Sequence, residues 1–515
     1  VIIVALLFGS FIEGSSGFGT PAAVACPLML GLGFPAFASV IAGMIIQSTP
    51  VSFGAVGTPM RTGIGSGLGA GSDQVVNEFA AQIGIPIVDA SGNLNQIAYY
   101  DQFVALFAHK TAILHFVGGF LTPLFLVGFM TRIFGKNKSW SEGFAIWPFA
   151  LFSALAFTVP YILINHFINY ELTSMLGALT GLVIVIFAAK NKFLTPKEDE
   201  TWDFLDKKDW EANWTGSIDV KYVEKPGGMS TLVAWLPYVY VAGLILFTRL
   251  VPPVKAFLNS VIITYPKIGG LAENWAILYS PGTIFIIVSL LTYFTHGMKP
   301  DAYKRAWKQA SKVIVSASVA LIFTVPMVQV FINSDGGAAG YMKMPYALAE
   351  ATYQLTGGLW PLFAPIIGGL GAFVAGSNTV SNMTFALFQF KTAQLIVEGN
   401  PALAPMAMQW PIWVVALQAI GGAAGNTICI HNVVAASAVV GFIGREGDTI
   451  RKTFLFFLYY AFIPGAFGYS YLYWASKGPL NLGTIILVVF YAVMIYLLAT
   501  NKSRLAKLNG SISAR

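Results

Sequence analysis

The chain has 515 residues, 56% of them hydrophobic and only 10% charged, with a mean hydropathy of +0.69 and a formal net charge of +7. An ordinary soluble domain carries about 25% charged residues, so the composition excludes a soluble globular protein and gives an all-α polytopic membrane protein embedded in a lipid bilayer. The basic excess does not imply nucleic acid, because in a membrane protein surplus Lys and Arg marks cytoplasmic loops, and two cysteines, Cys26 and Cys429, both inside apolar stretches, leave no disulfide framework.

In chain order, residues 1–60 open with VIIVALLFGS, break into FIEGSSGFGT at 11–20 and resume with PAAVACPLMLGLGF. Glycines and hydroxyls where a spanning helix should be most regular mark a re-entrant hairpin followed by a broken helix. Residues 1–8 carry no basic n-region and do not read as a signal peptide. Residues 61–106 contain Asp73, Glu78, Asp89 and Asp101, with no Lys or Arg between Arg61 and Lys110, and read as an extracellular loop. Transmembrane helices follow over 107–190, with the basic connection Arg132, Lys136 and Lys138 inside and two crossings near 145–165 and 172–189. A charged cytoplasmic loop covers 191–230.

Residues 231–358 hold further helices, including 232–250, 276–295 and 313–332, each near the 17–25 residues, roughly, that cross the hydrocarbon core. Within them the basic segment 296–312 reads as cytoplasmic. Lys304, Lys308 and Lys312 recur every four residues beside Tyr303 and Trp307, as in a helix lying along the membrane surface. Arg249, Lys255 and Lys267 fall on the predicted outer side and conflict with the charge rule. Residues 359–443 form a second hairpin and broken helix. Residues 444–515 supply the inside loop at Arg445, Arg451 and Lys452, spans at 455–475 and 484–500, and a cytoplasmic tail with Lys502, Arg504 and Lys507. No pattern of short alternating segments suggests a membrane barrel.

The first and second hairpin regions are related. Phe11-Ile12-Glu13-Gly14-Ser15-Ser16 has a counterpart in Phe373-Val374-Ala375-Gly376-Ser377-Asn378, and Gly54-Ala55-Val56-Gly57-Thr58 in Gly422-Ala423-Ala424-Gly425-Asn426. The first copy runs into the acidic outside loop and the second into the basic inside loop, so the copies point oppositely. Inverted repeats with Gly-interrupted apolar segments at corresponding positions are the pointer to a secondary transporter's binding site. Irregular backbone at membrane depth is tolerated only where protein or water lines it. The second copy is preceded by at least two helices and the first by none, so N-terminal helices are expected to be missing from this numbering.

The stretches FGSFIEGSSGFGTPAAV, TPVSFGAVGTPM, GAFVAGSNTVSNMTFALFQ and AASAVVGFIGREGD resemble the lactate permease family of bacterial and archaeal transporters. The resemblance implies a multi-pass protein of the plasma membrane, its C-terminus cytoplasmic by the charge rule at Lys502, Arg504 and Lys507, that takes up lactate and similar 2-hydroxymonocarboxylates such as glycolate by proton symport. It also implies a wider ion-transporter superfamily in which Ser-Asn-Thr hairpin tips hold substrate and coupling ion; Ser377-Asn378-Thr379 looks like one such tip. Where part of the family reads Gly-Lys-Met-Ile-Ser-Pro-Gln, this chain has Gly425-Asn426-Thr427-Ile428-Cys429-Ile430-His431, which removes a fixed positive charge and adds a histidine.

A small carboxylate needs donors that bury no net charge, and broken-helix N-termini with hydroxyls and amides supply them. Ser15, Ser16, Gly17, Ser377, Asn378, Thr379, Asn426 and Thr427 provide that kit, with Gln47, Thr49 and Asn382 available for a 2-hydroxyl. Glu13, the one acid in residues 1–60, and His431 are the candidates for proton coupling; His109, His115, His166 and His296 carry less weight. No cofactor, metal spacing or nucleophile-base set is present, so the chain does not read as an enzyme. A sodium-coupled carrier of another organic anion is the alternative within transport. An anion channel or a membrane enzyme is the alternative outside it, and a homodimer is compatible with either.

Overall fold

The computed structural model describes residues 1–17, 19–88, 99–196, 202–218, 228–264 and 274–506. Asp89, Lys267 and Lys507, and residues 198–201 and 219–225 of the charged stretch, lie outside the described residues. In lipid a backbone must satisfy its own polar groups, which makes helix the default. Among the described residues the only strands are the antiparallel pair Ile262–Thr264 and Asn274–Ala276. Among the described residues eight helical stretches are long and apolar enough to cross a membrane, including Tyr99–Phe134, Trp147–Phe167, Tyr170–Lys190, Glu446–Lys477 and Leu482–Ala499.

The chain divides into two compact units, one of residues 1–94, 100–221 and 328–515, the other of 95–99 and 222–327. The larger unit contains both hairpin regions. In the first, Ile2–Ser16 turns at Gly17 and Gly19 into Thr20–Gly31; these glycines have φ of +63° and +77°, values that any Cβ would strain. In the second, Trp360–Ala375 turns at Gly376, φ +79°, into Asn378–Glu398. The second pair runs antiparallel: Trp360 Nε1 donates to Gln389 Oε1 at 2.7 Å near the open end, and Ser381 Oγ donates to the Gly368 carbonyl at 2.7 Å nearer the tip.

Each hairpin is followed by an interrupted helix. Ala36–Ile45 unwinds over residues 46–58, where Ala55, Val56 and Gly57 have φ of 44°, 55° and 71°, and resumes through Pro59–Ile64. Gln409–Asn426 stops at Thr427 and restarts as Ile430–Val439. The two paths run in opposite directions past each other. Phe37, at the start of the first, stacks on Phe442, just past the end of the second, with ring centroids 4.8 Å apart. Ser52, inside the first break, donates to the Ala419 carbonyl of the second path at 3.2 Å.

Gln409–Asn426 is buried from Trp410 to Asn426, as expected of a helix apolar on every face. It meets Trp360–Ala375 backbone to backbone: a Cβ on Gly421 would collide with the Pro365 carbonyl, and one on Gly425 with that of Gly369. A Gly421→Val variant is therefore expected to lose about 1–3 kcal/mol or more from overpacking, read as a lowered thermal unfolding midpoint in detergent; an unchanged midpoint would contradict this packing.

Several expectations shift. Gly14 lies inside the helix Gly9–Ser16, so the turn comes three residues later than the centre of the motif. Gly14 instead serves close packing, since a Cβ there would enter the backbone of Ser174 and Met175. The basic segment 296–312 is not a separate surface helix, because from Pro300 it is continuous with the apolar turns that follow, in one helix Pro300–Ile332. Arg249, which conflicted with the charge rule, is buried, donates to the Tyr279 carbonyl at 2.8 Å and lies over the Tyr279 ring. A guanidinium satisfied this way is not a free loop charge. Asp73, expected in a solvated loop, is buried and accepts from Lys343 Nζ at 2.7 Å and Tyr346 at 2.8 Å.

Candidate functional site

Each hairpin tip is wedged between the two helix breaks. At the first tip, a Cβ on Gly17 would sit 2.6 Å from the Ala55 Cβ of the first break, and one on Gly19 would sit 2.9 Å from Asn432 Oδ1 of the second. At the second tip, a Cβ on Gly376 would sit 3.3 Å from the His431 Cβ. Beside it Asn378 Nδ2 donates to Ser52 Oγ at 3.3 Å, and Asn382 Nδ2 donates to the Pro59 carbonyl at 3.1 Å, both in or next to the first break. Three helices, Thr20–Gly31, Asn378–Glu398 and Ile430–Val439, begin in this region. Helix N-termini carry partial positive charge and unspent N–H groups, which favour an anion.

The polar side chains here are incompletely satisfied. Buried atoms without a hydrogen-bond partner include Glu13 Oε2, both amide atoms of Gln47, and the Oδ1 atoms of Asn378, Asn382 and Asn426. Each such atom costs about 1–3 kcal/mol, and all six belong to the hairpins or the interrupted helices. Ala55 and Val56 add backbone strain, since a β-branched residue at positive φ is an outlier that surrounding structure must hold in place. Clustered strain and clustered unspent polar atoms coincide.

The expected residues divide by what their donors do. Ser15 and Ser16 hydroxyls donate to carbonyls of their own helix, Phe11 at 2.8 Å and Ile12 at 2.7 Å, and Thr427 donates to Ala424 at 2.7 Å; their oxygens remain only as acceptors. Gly17 caps the first arm, its N–H on the Glu13 carbonyl at 2.8 Å. Thr49 receives the Tyr460 hydroxyl at 2.9 Å on Oγ1 and the Tyr161 hydroxyl at 2.8 Å on its carbonyl. Ser377 is half-buried at the second tip without a capping bond from its side chain, and Thr379 is buried behind it. Glu13 is 2% exposed, and a Cβ on Gly54 would lie 2.6 Å from its Oε1, so the first break packs directly on the carboxyl. His431 is exposed, although the sequence around it is apolar.

Sequence reasoning underrated His115. It lies inside the helical stretch Tyr99–Phe134, fully buried, with Nε2 2.8 Å from Ser52 Oγ and Nδ1 2.8 Å from the Tyr460 hydroxyl. Gln418 and Gln389 were also overlooked. Gln389 Nε2 donates to Gln418 Oε1 at 3.0 Å, and Gln418 Nε2 donates to Ser381 Oγ at 2.9 Å, tying the second hairpin to the buried helix. Two amides inside apolar runs, at positions 389 and 418, were the available signal.

A cavity of about 430 Å³ at the basic end, lined by Arg132, Lys138, Glu211, Trp214, Arg451 and Lys452 among others, contains none of these residues. It lies among helix ends and the 211–214 segment.

Helix termini and unspent amides enclosed by spanning helices fit a polytopic α-helical transport protein. The family description "L-lactate permease" matches residues 1–472, and the chain belongs to that family, whose members are transporters and not enzymes. Relatives include the L-lactate permease of Bacillus subtilis, 26% identical over 88% of this chain and 74% of its own length. The L-lactate permease of Salmonella typhimurium is 25% identical over 88% and 74%. The glycolate permease GlcA of Escherichia coli is 26% identical over 90% and 76%. No solved structure matches the chain.

Proposed function

We propose that the chain carries lactate and similar short 2-hydroxymonocarboxylates such as glycolate across the plasma membrane of a bacterium or archaeon, in symport with protons. The observation that carries this reading is the convergence of two hairpin tips and two helix breaks on a region of helix N-termini and unspent amides. The relatives named for L-lactate and glycolate supply the substrate class. The hairpins and interrupted helices act as inverted repeats, and a carboxylate bound between them is met by backbone N–H groups at Asn378 and Ile430 and by the Asn378, Asn382 and Asn426 amides. Glu13, enclosed by the first break, exchanges the coupled proton. Lys138, Arg445, Arg451 and Lys452 gather at the end that also holds Asn501, whose amide donates to the Ser141 carbonyl at 3.0 Å. By the charge rule that end, with the C-terminus, faces the cytoplasm.

The orphaned amide oxygens of Asn378, Asn382 and Asn426 would also suit a sodium ion, so the test needs both gradients. Labelled L-lactate uptake into proteoliposomes is expected to run uphill when the outside is acid, with glycolate competing and a sodium gradient adding nothing. Uptake that follows sodium and ignores pH removes the proton claim. No saturable uptake of either hydroxyacid removes the substrate claim.

A further inference from the structure

We infer that His115 carries the positive charge that accompanies the substrate anion, a positioning role that acts through Ser52; this rests on the transport reading above. Ser52 Oγ has one proton and donates it to the Ala419 carbonyl at 3.2 Å, while accepting from Asn378 Nδ2 at 3.3 Å. Tyr460 has one phenolic proton and donates it to Thr49 Oγ1 at 2.9 Å. With both hydroxyl protons committed, the contacts of His115 Nε2 to Ser52 and Nδ1 to Tyr460, each 2.8 Å, are hydrogen bonds only if both ring nitrogens donate. Two donating nitrogens mean imidazolium. Neutral imidazole has to draw a proton from one of the two hydroxyls, and so either release the Ala419 contact or turn the Tyr460–Thr49 bond around, with Thr49 as donor.

Among the described residues the neighbours offer no counter-charge. Besides Ser52 and Tyr460, His115 meets the edges of the Phe53 and Tyr161 rings, with centroids 6.3 Å and 5.9 Å away. The titratable groups facing it are thus Tyr460 from Glu446–Lys477 and Tyr161 from Trp147–Phe167, two phenols and no carboxylate. A buried cation without a partner is costly. A carboxylate arriving beside Asn378 and Ser52 supplies the missing charge, so proton and anion favour each other's binding. The balance is simple: as the anion enters, the one coupled proton that Glu13 exchanges with water passes to a lone pair of neutral His115, and proton and anion both leave on the other side.

The chain has five histidines, few enough for direct observation. Protein labelled with ¹⁵N-histidine and reconstituted in lipid is examined by solid-state NMR near pH 7.5, with and without saturating L-lactate, and the His115 signals are assigned by their loss in a His115→Gln variant. Lactate is expected to convert the His115 signals from one protonated and one bare nitrogen to two protonated nitrogens, and His115→Gln to weaken lactate affinity at least tenfold. His115 remaining neutral while the same preparation takes up lactate overturns the inference and leaves the transport reading standing. Failure of the unsubstituted protein to take up lactate contradicts the transport reading, and this assignment falls with it.

Discussion

Replacing Glu13 by glutamine should abolish proton-driven accumulation of lactate while leaving exchange of lactate for lactate across the same membrane. Glutamine has nearly the volume of protonated glutamate and fits the enclosure formed with Gly54. It keeps a hydrogen-bonding head but cannot release a proton. A pH gradient of one unit is worth about 1.4 kcal/mol per coupled proton, a tenfold concentration ratio. The wild-type protein should reach a ratio of that order per unit, and the variant a ratio near one. Exchange involves no net proton movement, so its survival shows that the variant is folded and still binds the anion. A Glu13→Gln protein that accumulates lactate as steeply as wild type would remove Glu13 from the coupling.

The second large effect is expected at the tip of the second hairpin. Asn378 joins the two halves of the site: its Nδ2 donates to Ser52 in the first break, its Oδ1 is unpartnered, and its backbone N–H opens the helix Asn378–Glu398. Asn378→Ala removes the side-chain donor without disturbing the backbone one. A hydrogen bond to a charged group is worth about 1.5–3 kcal/mol, so the KM for lactate should rise roughly tenfold to a hundredfold. Asn378→Asp is nearly isosteric and sets a carboxylate against the bound one; its uptake should be undetectable. Alanine and aspartate variants with wild-type KM, in protein with an unchanged thermal unfolding midpoint, would place the anion elsewhere.

Much of this arrangement is legible in the sequence because it depends on residues with few alternative uses. Glycines at 17, 19 and 376 interrupt apolar runs that would otherwise continue as helix, and each adopts a positive φ in the structure. The Gly54–Thr58 and Gly422–Asn426 stretches both fall at or beside helix breaks. The remainder was not legible for physical reasons. Whether a serine offers its proton to a ligand or returns it to its own helix depends on local geometry, and Ser15, Ser16 and Thr427 return theirs. Asp73 and Lys343 are 270 residues apart, so no local pattern announces their pairing. His115 looked peripheral because the helix carrying it was expected to start at 107. It begins at Tyr99, and the ring is buried against Ser52 and Tyr460.

The most direct test is a cryo-electron microscopy map of the protein in lipid nanodiscs at saturating L-lactate. The site described here requires density for one small anion between the two hairpin tips, within hydrogen-bonding reach of Asn378 and of the helix start at Ile430. Lactate density elsewhere, such as the basic cavity around Arg132 and Arg451, with the tips packed on each other and nothing between them, would contradict it.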